Sequence, residues 1–374
     1  MLKRSEVKSL CSILAAVALV LALLGLVACG GSGKQSQEQP KSQTPAPKTS
    51  EGSGQGQASS KEQELAKLIE GAKAEGKVVW GDGLKPEEAE PVIKEFNKKY
   101  PFIKVEHTRI SGTDSRERLL REMMAKQVTF DVFDIGGEEI PDFKKAGLLK
   151  KYDWTKAFPV RPEQLEPDQM MITIGASVKG IGYNTNLVKK EDIPKSWEDL
   201  LDPKWKRKIV VDSRPKTFLQ LMPVWGEEKV LDYLKKLAAN KPQFRRGQTE
   251  SIQLMAAGEI SMIGGTYYHS LKLVKDKGAP IDFALLEPVP VTFEDETIAK
   301  GASHPNAAKL LLGWLATEGN KYYDQVTGRG IPLPGFDTGS SKLVSGKKLS
   351  LFVDEWIERE AKLSKKAAQA MGLE

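Results

Sequence analysis

Cysteine and histidine are the scarce residues of this chain. Its 374 residues include two cysteines and three histidines. Both cysteines, Cys11 and Cys29, lie near the amino terminus, so the remainder has no thiol and no disulfide and must be stabilised by burial. No H-E-x-x-H, no cysteine pair with zinc spacing and no G-x-S-x-G occurs in it, which removes the familiar signatures of zinc peptidases and serine hydrolases. His107 lies beside a predicted strand and His304 precedes Pro305 at a helix entry, so only His269 falls near a predicted cleft. The chain reads as a binder and not as an enzyme, with an exported hydrolase using His269 as the minor alternative. Charge of one sign is lacking too: the net charge is +6, of which Lys3, Arg4 and Lys8 less Glu6 supply +2. Opposite charges are interspersed, as in Arg116-Glu117-Arg118, which is a solvated surface and no nucleic-acid footprint.

What is present begins at the amino terminus. Lys3, Arg4 and Lys8 precede an apolar run from Leu10 to Val27, and small residues lead to Cys29. These are the parts of a secretory signal. The ending Leu26-Val27-Ala28-Cys29 resembles the lipobox of bacterial lipoproteins, which implies removal of residues 1–28 and lipidation of Cys29. An uncleaved anchor and plain secretion after Ala28 are the other readings, and all three put the rest of the chain outside the cytoplasm. Residues 29–60 then hold Gly, Ser, Gln, Lys, Glu, Thr and Pro with Ala as the one apolar type after Cys29, a composition that cannot bury enough surface to fold. They read as a disordered tether from membrane to globule. About 310 residues remain, more than one ordinary core, which suggests two lobes and hence a cleft.

The folded part alternates strand and helix. Glu62–Ala74 repeats apolar residues at helical spacing, Lys77–Trp80 reads as a buried strand ended by Gly81-Asp82-Gly83, and a helix follows from Pro86 and stops before Tyr100. Ile103–Glu106 is the next strand; Ser111–Ser115 leads into a third helix; Phe130–Ile135 is a third strand. This is an α/β arrangement with a mostly parallel sheet, and ligands of such sheets sit beyond the carboxyl ends of the strands. Those ends supply Asp82, Ser111, Thr113, Ser115 and Glu138 as candidate ligand-binding residues. Farther on, Lys208–Asp212 reads as a strand followed by Ser213 and Arg214, and Ile260–Ile263 as a strand followed by a loop, Gly264–His269, that contains Thr266, Tyr267 and Tyr268. Arg214 has the planar donor fork that matches carboxylate or phosphate. The backbone N–H groups after Ser111 are a second place for an anion.

The order of segments resembles the extracellular solute-binding proteins of bacterial ABC importers. Its carriers are Gly76-Lys77-Val78-Val79-Trp80, Phe96–Val105, Phe130-Asp131-Val132, Gly180–Asn186, the run Pro194-Lys195-Ser196-Trp197-Glu198-Asp199-Leu200-Leu201-Asp202-Pro203-Lys204-Trp205-Lys206, and Pro305–Lys309. That last long run is similar to one in iron(III)- and organic-anion-binding members. The resemblance implies a type II periplasmic-binding-protein fold with two lobes, 62–174 plus 288–325 and 175–287 plus 326–374, joined at two hinge crossovers near 174–178 and 286–291. It implies a monomer, anchored outside the cytoplasm by its lipid, that traps a small solute in the cleft and presents it to a permease. It further implies that Tyr267 and Tyr268 are ligands if the cargo is ferric iron, that Arg329 in Gly328–Gly335 lies on a return segment near the cleft, and that no cofactor is needed. The main expectation for the cargo is a small organic or phosphonate-like anion; ferric iron is the alternative.

Overall fold

The computed structural model describes residues 54–373 apart from 138 and 354. The chain divides into two units at Glu62/Gln63, and, apart from the start of one helix, everything that follows belongs to the second. The helix that leads into it starts at Gly54 and runs to Glu75. Residues 54–60, which composition alone assigns to the tether, are helical: Gly, Gln, Ala and Ser extend a helix that burial of Leu68 and Ala72 has already nucleated.

Among the described residues ten strands form one hydrogen-bonded sheet: β1 (Lys77–Asp82), β2 (Lys104–Arg109), β3 (Val132–Asp134), β4 (Met171–Asn184), β5 (Ile209–Asp212), β6 (Gln243–Arg245), β7 (Met262–Tyr267), β8 (Ile281–Ala284), β9 (Val289–Ile298) and β10 (Leu349–Leu351). The order is β2-β1-β3-β9-β4-β7-β5-β6, with β10 beside β9 and β8 beside β4. β1 is parallel to β2 and β3, and β5 is parallel to β6 and β7, so each half has a parallel centre. The long strands β4 and β9 run antiparallel between the halves: β4 pairs β9 from Met171 to Val178, then β7 from Lys179 onward. Both faces of β4 are buried along its whole length, as befits a strand shared by two layers.

Each half has its own core. One gathers Trp80, Phe96, Ile172, Ile298 and the apolar helix Pro305–Ala316. The other gathers Ile181, Trp197, Phe218, Tyr233 and Met262 with Leu363 and Ala367 of the last helix and Met371 just after it. Between them a small apolar group (Ala176, Val178, Val289, Val291) marks where the strands cross. β7 extends beyond its expected end because Gly264 lets Ile209 and Val211 pack onto it, and Gly265 has the positive φ of +90° beside Thr217. The pair reads as a turn in sequence and is a strand in space; the helix Tyr268–Lys275 follows with no loop between.

Candidate functional site

The parallel strands of the first half deliver Asp82, Arg109 and Asp134 to one edge, and the antiparallel register of β9 sets Glu296 opposite Asp134. Asp82, Asp134, Glu294 and Glu296 form an acidic wall there. Its countercharges are specific. His107 Nε2 lies 2.7 Å from Asp82 Oδ1, Arg116 Nη2 donates to Asp134 Oδ2 at 2.6 Å, and Arg329 Nη1 donates to Glu294 at 3.2 Å while Nη2 reaches Glu88 at 3.5 Å. Glu294 also accepts from Ser177 Oγ at 2.7 Å and Tyr323 Oη at 3.0 Å. The indole of Trp80 donates to both oxygens of Glu296, at 2.9 and 3.1 Å. Burial, then the neighbouring carboxylates, push Glu296 well above the usual range; burial raises Asp134 to about 6 against the pull of Arg116. Burial opposes the charge on Arg329, but Glu294, Tyr323, Glu88 and Asp82 outweigh it and hold the guanidinium firmly ionised.

The second half presents cations. β5 and β7 end at Asp212 and Tyr267, and register places Lys179 of β4 beside Tyr267. Lys179 is 1% exposed; its Nζ donates to Gln220 Oε1 at 2.5 Å and stands 4.5 Å from the centre of the Tyr267 ring. Among the described residues no carboxylate forms an ion pair with it, and burial lowers its pKa. Lys216 and Glu360, an ion pair at 3.4 Å, bear on it electrostatically. His269 is buried, with its ring 5.1 Å from that of Tyr267 and its Nδ1 without a hydrogen-bond partner. Burial, then Arg329, Lys179 and Lys85, depress its pKa strongly, so the imidazole is neutral. The two halves meet across this region: a Cβ on Gly137, in the loop after β3, would stand 3.0 Å from Ile357 Cγ2 and 3.6 Å from Glu360 Oε2.

The expected residues are distributed unevenly over this geometry. Asp82, Tyr267 and Arg329 take part in it. Arg214 is half exposed and already forks onto Asp212, Nε to Oδ1 at 3.0 Å and Nη2 to Oδ2 at 2.8 Å, so its donors meet an internal carboxylate. Ser213 lies next to it and donates its backbone N–H to Arg245. Thr266 is fully buried and donates to Gln248 Oε1 at 2.7 Å, directed into the core by the alternation of β7. The tyrosine pair diverges, because Tyr267 ends a strand and Tyr268 opens a helix. Tyr268 packs on Phe283 and lines a separate cavity of about 340 Å³ with Lys272 and Asp324. Ser111 and Ser115 hydrogen-bond to each other, Ser115 Oγ donating to the Ser111 carbonyl at 3.1 Å, and the helix from Thr113 to Met124 has Gly112 at its cap with no side-chain capping bond. Glu138 and Cys29 lie outside the described residues. Lys179 was the residue hardest to foresee, yet it has a signal: it is the sole charge in the 14-residue strand Met171–Asn184.

Residues 92–348 match the family model described as bacterial extracellular solute-binding protein. The chain belongs to this family. Such solute-binding proteins serve ABC importers by binding a small ligand outside the cytoplasm and delivering it to the permease, and they are not enzymes. An uncharacterised protein of Haemophilus influenzae is 28% identical over 252 residues, which span 62% of this chain and 70% of that one. Among solved structures, iron-bound HitA from Pseudomonas aeruginosa is similar with a TM-score of 0.61 at 19% identity, covering 79% of this solute-binding protein and 99% of HitA. The periplasmic binding protein AfuA from Actinobacillus pleuropneumoniae, with fructose-6-phosphate bound, is similar with a TM-score of 0.61 at 24% identity, covering 80% and 99%. These similarities establish the two-lobe fold. Among the described residues no helix is long and apolar enough to cross a membrane.

Proposed function

We propose that this solute-binding protein, held at the outer face of the cytoplasmic membrane by lipid on Cys29, closes about the crossing strands β4 and β9 around a small organic or phosphonate-like anion. The observation that carries the reading is Lys179. A buried ammonium that has the Gln220 amide oxygen and the Tyr267 side chain as neighbours but no ion pair among the described residues is costly, and an anion arriving in the cleft offsets that cost. Tyr267 and the unpartnered Nδ1 of His269 stand beside it as further polar contacts. Across the cleft the acidic wall suits hydroxyl or amino groups of the same solute, since carboxylates accept hydrogen bonds from both.

Ferric iron is the weaker reading. Chelation by both tyrosines needs their phenolates at one point, whereas the two side chains diverge and burial raises the Tyr268 pKa, which keeps that phenol protonated. The Lys179 ammonium over Tyr267 also repels a trivalent cation.

The test is calorimetric and thermal titration of the mature protein with small organic anions, sugar phosphates and ferric citrate, beside Lys179→Met and Tyr267→Phe. An anion that stabilises the wild type and loses at least tenfold in affinity with Lys179→Met is the expected result. A visible ferric-phenolate band that vanishes in Tyr267→Phe and survives in Lys179→Met overturns it. Incorporation of labelled palmitate that is abolished by Cys29→Ser checks the anchor.

A further inference from the structure

Closure about β4 and β9 depends on a ladder that is interrupted where it has to flex. Its register slips between Thr173 and Gly175, and Glu294 of β9 stands opposite Gly175. An irregularity of this kind breaks the local pairing and increases the twist. Side chains span the gap. The Glu294 carboxylate accepts from Ser177 Oγ at 2.7 Å, from Tyr323 Oη at 3.0 Å and from Arg329 Nη1 at 3.2 Å. Tyr323 belongs to the first core, on the helix Asn320–Thr327. Ser177 lies on β4 past the slip, two residues before that strand takes up β7 of the second half. Arg329 is on the return segment, where its carbonyl accepts from the Ala176 N–H at 2.8 Å and its Nη2 reaches Glu88 of the helix Pro86–Lys99 at 3.5 Å. Next to it Gly328 meets the second half: a Cβ there would stand 3.1 Å from Lys272 Cδ and 3.4 Å from His269 Cα. One carboxylate thus ties the first core, the return segment and the outgoing part of β4 together across the weak point of the ladder.

We infer that Glu294 is the positioning residue of the hinge, a clamp whose three hydrogen bonds bias the two halves toward the touching arrangement of this structure. This rests on closure about β4 and β9 and is independent of which solute is bound. Rotation of the second half carries Ser177 relative to Tyr323, and the two hydroxyls cannot both stay within hydrogen-bonding distance of one carboxylate as the angle changes. Hydrogen bonds to an ionised acceptor are among the stronger ones. Loss of one should shift the ratio of touching to separated halves by about tenfold.

The scarcity of cysteine makes the test direct. In the full mature chain carrying Cys29→Ser, spin labels on Lys94→Cys and Lys235→Cys, exposed sites on helices of opposite halves, report the separation by double electron–electron resonance with no ligand added. Ser177→Ala, Tyr323→Phe and Glu294→Gln are compared with the unsubstituted clamp. Tyr233→Phe is the control, since it deletes a buried hydroxyl that donates to the Trp197 carbonyl at 2.9 Å inside the second half. The three clamp variants should raise the ratio of long to short distances about tenfold, whereas Tyr233→Phe should lower stability and leave the distances unchanged. Ser177→Ala and Tyr323→Phe each remove one hydroxyl and keep the test decisive if Glu294→Gln fails to fold. Gly137→Val, which presses on Ile357 where the halves touch, checks closure itself. If it lengthens the distance and the clamp variants do not, the inference fails and closure stands. If neither it nor the clamp variants move the distance, closure about these strands fails and takes this inference with it. An equal shift in Tyr233→Phe also overturns the inference, because any lost hydrogen bond would then loosen the hinge.

Discussion

Asp134 shows how a single side chain links burial to solution behaviour. Its carboxyl, raised to about 6 by burial, holds a proton in the folded protein at pH values where the unfolded chain has lost it. Between about pH 4 and pH 6 the folded state therefore binds more protons, and stability falls as pH rises through that window. Asp134→Asn removes the titration. Relative to wild type, the variant should gain on the order of 1–3 kcal/mol between pH 4 and pH 7, read from urea denaturation at both pH values; a difference that stays constant with pH contradicts the assignment. The asparagine's amide oxygen can still accept from Arg116, so the comparison isolates the titrating proton. At this scale the sequence showed residue types but not their partners. Arg214 looks like a ligand clamp in sequence, and only the fold brings Asp212 under its fork; Lys179 meets Gln220 across 41 residues of chain, a pairing no local pattern encodes.

Among the elements, β4 carries the most constraint. Its register against β9 slips between Thr173 and Gly175, and Asn320 Nδ2 donates to the Ile174 carbonyl at 2.5 Å within that irregularity. Gly175 is required because a Cβ there would run into the carbonyl oxygen of Arg329, which is itself held by the Ala176 N–H at 2.8 Å. Gly175→Ala should cost about 1–3 kcal/mol of stability, measured by denaturation, and a cost under about 0.5 kcal/mol would mean that the return segment moves freely. The helices that start at Pro86 and Pro305 and the buried strands β1, β3 and β5 were legible from apolar periodicity and from the prolines at helix starts. The three-residue strands β6 and β10 were not, because so short a segment has no period to detect. β10 in particular falls in a stretch whose spacing suggests helix, and it is a strand because β9 offers it an edge.

For the whole molecule, closure depends on how near the halves can come. Gly137 abuts Ile357 so closely that even a Cβ would press on its side chain, and the larger Gly137→Val should hold the halves apart. Small-angle scattering should show the wild type contracting on addition of a bound anion and the variant failing to contract, with lower affinity and a smaller change in melting temperature. Contraction of both would place the point of contact elsewhere. The route of the chain has a further effect, on time. β3 pairs with β9, which is synthesised more than 150 residues later, and the apolar helix that fills the first core starts at Pro305. Neither half can finish until most of the polypeptide exists, and such non-local pairing is slow to form. For a protein that works outside the cytoplasm, such a delay would suit export, because a chain whose long crossing strands are paired last would still be threadable as it leaves the cell interior.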